Sequence, residues 1–175
     1  MTAARPETTS PPAGEVAASA RRQVLTFVLG EETYGVDILR VQEIRGWSAV
    51  TKIPQAPAHV LGVLNLRGSI VPIVDLRMRL ALERAEYTSI TVIIVLSVVS
   101  GSGRRDFGVV VDGVSDVVDV NEADVRPPPE LGARASIDFI RGLVPVAERM
   151  VVLLDIDQLI GGDVASVRSD ADEAA

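Results

Sequence analysis

Apolar residues fall along this chain in short runs punctuated by Gly, Pro and charged side chains, the pattern of strands rather than of long helices. The runs Val24–Leu29 and Thr91–Val99 each read as a strand followed by a turn. Between Gly62 and Leu82, two apolar segments flank Arg67-Gly68-Ser69, which predicts two strands joined by a tight turn. Gly68 there supplies a backbone geometry that other residues resist. Pro72 interrupts the second segment and predicts an edge strand or a bulge. Asp75, ahead of Leu76, Met78, Leu80 and Leu82, is placed to cap a short helix. Packing gives Arg67 no reason to stand at a hairpin tip. It is either a solvated turn residue or a guanidinium presented to a partner.

The pattern is written twice. Displaced by 73 positions, Tyr34-Gly35-Val36-Asp37-Ile38 falls on Phe107-Gly108-Val109-Val110-Val111, and Val41-Gln42-Glu43-Ile44 falls on Val114-Ser115-Asp116-Val117. Displaced by 80, Gly62-Val63-Leu64 falls on Gly142-Leu143-Val144, Val71 on Val151, Asp75 on Asp155 and Leu80 on Ile160. Two matches in the same order indicate an internal duplication, with a longer loop in the second copy between Pro127 and Arg141. Short strands at this spacing predict an all-β fold of two small antiparallel barrels of SH3 size. Barrel 1 covers about residues 23–85 and barrel 2 about 90–160, with a groove where they face each other. Positions that agree between the copies are those the barrel needs, among them Gly35 with Gly108 and Gly62 with Gly142. Arg67 falls on Ala147 and Gly68 on Glu148, so the fold does not require the arginine.

Composition narrows the function classes. Of 175 residues, 47% are hydrophobic and only 3% aromatic, which suits β cores filled with branched aliphatics. Residues 1–21, rich in Ala, Pro, Thr and Ser, read as a disordered arm, and residues 163–175 as an acidic tail, leaving 22–162 as the folded part. There is no Cys, hence no disulfide framework, thiolate metal site or Cys nucleophile, which fits a reducing cytoplasm. A net charge of -7 disfavours nucleic acid and anionic membrane as partners. No apolar run is long enough to span a bilayer, and residues 1–20 lack the pattern of a secretory signal.

Candidate chemistry is sparse. The acidic set Asp112, Asp116, Asp119, Glu122 and Asp124 lacks the Gly and terminal Glu of an EF-hand loop and reads as a solvated face. A metal-dependent hydrolase built on that set is the enzymatic alternative. His59, the only histidine, has no obvious zinc or triad context. Gly101-Ser102-Gly103-Arg104-Arg105 lacks the Gly-Lys-Ser/Thr ending of a phosphate loop and reads as a turn. An RNA-binding barrel would want a basic stripe and stacking aromatics. No catalytic residue, cofactor or metal is therefore predicted. Trp47 either anchors an interface or covers one end of the first barrel. In an extended segment Val41 and Glu43 share one face and Ile44 points to the other, which predicts a half-buried Ile44 and a solvated Glu43.

Three segments together carry a resemblance: Tyr34 to Gly46, Gly62 to Arg77 with its Asn65-Leu66-Arg67-Gly68, and Gly108 to Val117. In order, they closely resemble the CheW family of bacterial chemotaxis coupling proteins, over about Gln23 to Ile160. The resemblance implies two intertwined, SH3-like, five-stranded antiparallel barrels with short helices, and leaves exchange of terminal strands between them open. It implies no catalysis, and an adaptor that bridges methyl-accepting chemoreceptor tips to the histidine kinase CheA. The kinase's regulatory domain and the related CheV share this fold but carry further domains that this sequence does not show. A CheW-like regulatory module of another two-component pathway is the nearest alternative. Matched residue by residue, Val41, Glu43, Ile44 and Arg67 fall in the family's receptor-contact and coupling segments, with Val92, Val109 and Val111 as groove lining. Gly35, Gly62, Gly68, Gly108 and Gly142 are the expected structural glycines. Surfaces on both barrels are expected to meet the regulatory domain of CheA, their side chains unspecified. The expected location is cytoplasmic, at membrane-associated receptor arrays, with no insertion into the membrane and no nucleic acid bound.

Overall fold

The computed structural model describes residues 21–82, 86–101, 103–129 and 138–160. The first half supplies strands β1 (Arg21–Leu29), β2 (Glu32–Asp37), β3 (Val41–Gly46), β4 (Val60–Leu66) and β5 (Ser69–Asp75). The second supplies β6 (Val92–Ser100), β7 (Gly103–Val111), β8 (Gly113–Asn121), β9 (Ile140–Val146) and β10 (Arg149–Leu154). Helix α1 (Leu76–Arg79) follows β5, and α2 (156–160) follows β10. Arg21, placed in the arm by composition, belongs to β1, where it pairs with Asn121. The rest of the arm, the acidic tail and residues 130–137 of the lengthened loop lie outside the described residues.

The sheets do not follow the halves of the chain. One has the order β8-β1-β2-β10-β9 and the other β3-β6-β7-β5-β4. Each barrel therefore takes its first hairpin from one half and its last three strands from the other. The division into 23–85 and 90–160 describes the repeat, while the hairpins β1–β2 and β6–β7 are exchanged. Exchange also makes the sheets mixed rather than wholly antiparallel. A hairpin from the other half meets the last strand in parallel: Thr33–Gly35 of β2 beside Val151–Leu153, and Gly108–Val110 of β7 beside Ile73–Asp75. Bridges Thr51–Val63 and Arg126–Leu143, at equivalent places, draw the outer strands of each barrel together.

The glycines shared by the halves stand where strands approach most closely. A Cβ on Gly35 would lie 2.5 Å from Val24 Cγ1, and one on Gly108 2.5 Å from Ile73 Cδ1. At the bridges, a Cβ on Gly62 would run into the Thr51 carbonyl, and one on Gly142 would sit 2.5 Å from Val125 Cγ1 and 2.9 Å from Arg126 O.

Among the described residues, three apolar clusters form the core. Val24, Val120, Val144, Val151 and Leu153 fill one barrel, and Val71, Ile73, Ile93, Val95 and Val110 the other. Between them lies the largest, joining Leu25, Phe27, Leu29 and Val36 of one sheet to Val74, Ile94, Leu96, Phe107, Val109 and Val111 of the other. β6 is buried on both faces: Ile93 and Val95 point into their barrel, Ile94 and Leu96 into the shared core. A strand covered on both sides reads as an unbroken apolar run, which is why Val92–Leu96 shows no alternation.

Pro72 is not on an edge, because β5 has β4 on one side and β7 on the other. The β7 pairing begins only at Ile73, and Pro72 faces Val63 across β4. Counting from the two-residue turn, that is a non-hydrogen-bonded pair, so the ladder needs no donor from the proline. Asp75 caps α1 as expected: Oδ1 accepts the Arg77 N–H at 3.0 Å, and Oδ2 accepts the Tyr87 hydroxyl at 2.9 Å. Trp47 stacks on Tyr87 with centroids 4.1 Å apart, and both rings pack against the barrel interior. Trp47 thus covers the barrel end.

Candidate partner-binding surface

A bulge decides which residues of β3 face which way. Val41 pairs with Leu96, but Glu43 pairs with Val95, leaving Gln42 unpaired between them. Directly opposed residues share a face, so Val41 and Ile44 join Leu96 and Ile94 on the side of the shared core. Glu43 and Arg45 fall with Val95 and Ile93 on the side of the barrel interior. The expected arrangement is reversed: Glu43 is half-buried and Ile44 is 44% exposed. The extra residue advances the side-chain alternation by one step, which strict alternation from Val41 cannot anticipate. β8 carries the same irregularity at the equivalent place, where Val114 pairs with Phe27 and Asp116 with Thr26.

The five apolar candidates share one face. Ile44, Ile94 and Val109 lie side by side across β3, β6 and β7, and Gly46, Val92 and Val111 form the next row. Ile44 is open, Val41 and Val92 are half-buried at the margin of the shared core, and Val109 and Val111 are each 1% exposed beneath it. Val109 and Val111 therefore do not line an open groove. The facing sheet covers them, and they serve as the floor on which the rim residues rest. Gly46 has nothing within 4 Å of a Cβ, which leaves the rim beside Val92 unobstructed.

Arg67 stands at the tip of the β4–β5 hairpin, exposed, with φ 55°, followed by Gly68 at φ 86°. Positive φ at both central residues is the twist-matched two-residue turn. Gly68 N–H donates to Asn65 Oδ1 at 3.0 Å, bracing it. No hydrogen bond or ion pair ties Arg67 to another described residue. Its counterpart Ala147 has φ 53°, so the left-handed backbone belongs to the fold and the guanidinium does not.

Several exposed apolar positions escaped the sequence reading, two of them close along the chain to candidate residues. Leu39, in the turn Ile38–Arg40, is 83% exposed, and Ile70, beside the Arg67 tip, is 60% exposed. The repeat held a signal for the second, since Ile70 falls on Met150, also exposed, as Ile44 falls on exposed Val117. The acidic set is not gathered at one point. Asp112 pairs with Arg77 at 2.6 Å, while Glu122 sits between Arg22 at 2.7 Å and Arg141 at 2.6 Å. Among the described residues no cluster of His, Cys, Asp and Glu is arranged to hold a metal ion. Nor is any described helix long and apolar enough to cross a membrane.

Comparison with known proteins places this architecture. The CheW-like domain family matches residues 23–163. The chemotaxis protein CheW of Klebsiella aerogenes is 45% identical over 142 residues, 81% of this chain and 83% of that protein. That of Rhizobium meliloti is 41% identical over 138 residues, covering 79% and 86%. The crystal structure of the scaffolding protein TtCheW from Thermoanaerobacter tengcongensis superposes with a TM-score of 0.71 at 29% identity, covering 79% of this chain and 92% of that one. With two SH3-like barrels and a family match over nearly the whole described chain, this protein belongs to the CheW family.

Proposed function

We propose that this chain is a non-enzymatic scaffold that couples methyl-accepting chemoreceptor tips to the histidine kinase CheA, working in the cytoplasm at receptor arrays. One observation carries the reading: an apolar rim, with Ile44 exposed and Val41 and Val92 half-buried, runs along the margin of the core that the barrels share. Such a rim suits the apolar face of a partner helix, since helices dock in grooves through anchors spaced along one side. Arg67, with no ion pair among the described residues, supplies a charge that a partner can answer. In this reading Val41, Ile44 and Val92 meet the receptor directly and Arg67 contributes to coupling. Glu43 acts from the other side of the strand, and Val109 and Val111 support from below.

The test is reconstitution. Purified protein, CheA and a receptor cytoplasmic fragment displayed on vesicles should co-sediment, and kinase activity should saturate with added protein. Failure to co-sediment with either partner overturns the reading. So does turnover of a nucleotide or ester by the purified chain alone.

A further inference from the structure

The chain passes from one sheet to the other at two places, Ile38–Arg40 between β2 and β3 and Asp112 between β7 and β8. An arginine–carboxylate pair holds each crossing to the helix that ends a half. Arg77 of α1 donates from Nη2 to Asp112 Oδ2 at 2.6 Å, and the same oxygen accepts the N–H of Gly30, in the β1–β2 turn, at 2.7 Å. Arg40 donates to both oxygens of Asp157 in α2, at 3.2 and 2.8 Å, and Asp157 Oδ1 accepts the N–H of Val99, near the end of β6, at 2.8 Å. Arg40 Nη1 also donates to Ser97 O at 3.1 Å. Each carboxylate thus gathers a crossing, a terminal helix and an exchanged hairpin, and each gathering spans both sheets.

The two gatherings correspond through the repeat with their charges exchanged. Displaced by 80, Arg77 falls on Asp157; displaced by 73, Arg40 falls on Gly113, next to Asp112. The helix supplies the cation in one half and the anion in the other. The helix positions correspond and the crossing positions differ by one residue, so an ion pair between crossing and helix recurs in both halves with opposite polarity. The side chains are partly shielded, 12% and 26% exposed in one pair and 29% and 28% in the other, so screening weakens them less than open surface pairs.

We propose that these ion pairs are a double latch fixing how one barrel is set on the other, so that a partner on the rim meets a prearranged face. Releasing one latch loosens that setting without unfolding either barrel. The chain has no cysteine, so cysteines introduced at exposed Ser69 and Arg149, one on each sheet, carry spin labels uniquely. The distance between them reads the setting in the full chain. Asp112→Arg and Arg40→Asp should each broaden or shift the distance distribution while the β circular dichroism signal is kept. The exchanged pairs, Asp112→Arg with Arg77→Asp and Arg40→Asp with Asp157→Arg, should restore the narrow native distribution. Should a reversal fail to fold, Asp112→Asn or Asp157→Asn, each removing one carboxylate charge, replaces it and should broaden the distribution likewise. A distribution unmoved by reversal, or by the asparagine where it replaces it, overturns the latch. An exchanged pair that folds but does not restore the native distance does the same.

Discussion

Arg67 occupies a left-handed position, φ 55°, where glycine is the least strained residue. Holding a side chain there costs roughly 1–2 kcal/mol. Arg67→Gly removes that strain but adds about 0.4–1 kcal/mol of unfolded-state entropy to be lost on folding. The net change lies between about zero and a gain of about 1.6 kcal/mol, a rise of up to about 6 °C in thermal midpoint at roughly 2–4 °C per kcal/mol. Arg67→Glu keeps the strain, removes no ion pair among the described residues, and should stay within about 0.5 kcal/mol of the native protein. Both should weaken receptor–kinase assembly, the charge reversal more, because like charges across an interface cost several kcal/mol. Melting and co-sedimentation run on the same preparations separate the effects. Normal assembly by Arg67→Gly would show that the guanidinium is only a turn residue. Early unfolding of Arg67→Glu would show that it holds the hairpin.

The other expectations concern the rim, the turns and pH. Ile44→Asp should melt near the native midpoint yet lose receptor binding, whereas Ile94→Asp, on the next strand and fully buried, should not fold; equal behaviour of the two would refute the rim. Gly68→Val, strained at φ 86° but meeting no neighbour, should lose roughly 1–3 kcal/mol in a denaturant titration. Gly62→Ala, driven into the Thr51 carbonyl, should lose more, and an inverse order would contradict the close approach. Burial, and after it the Glu32 carboxylate, raises the Tyr34 phenol above its usual 10.0. The fold thus favours the protonated ring, and that stability, full below the unfolded value, is lost as pH rises through the higher folded one. Tyr34→Phe should flatten the fall in denaturant midpoint above about pH 10. A chain cut to residues 22–162 should melt cooperatively near the full-length midpoint and still bind CheA; loss of cooperativity would show that a removed end contributes to folding.

What could be read in the sequence was local. The hairpin at Arg67-Gly68, the Asp75 cap and the paired glycines depend on neighbours along the chain or on agreement between the halves, and the structure has them where expected. What could not be read was non-local. Because the halves repeat one pattern, a hairpin complementary to its own half is complementary to the other as well, and nothing in alternation distinguishes β1–β2 at home from β1–β2 exchanged. The bulge at Gln42 was hidden for a related reason. It needs the partner strand β6 to reveal that one residue has gone unpaired, and without it Glu43 and Ile44 trade faces. Val109 and Val111 are apolar second-half positions that the resemblance offers as groove lining; their depth depends on the facing sheet.

The repeat gives a control that a single barrel lacks. Ile44 with Val117, and Ile70 with Met150, stay apolar and exposed in both halves although neither core uses them fully. The left-handed turn recurs at Arg67 and Ala147, while the charge appears only once. Since both barrels fold from the same pattern, the backbone at that tip is explained by folding and the guanidinium is not. Nor can crowding account for it, because Gly68 beside it has open space around it. A side chain that its own fold tolerates but does not need, at a strained position that glycine would occupy more comfortably, is either a solvated turn residue or one that a partner uses. The repeat removes the folding explanation for the charge, and assembly by Arg67→Gly decides between the two that remain.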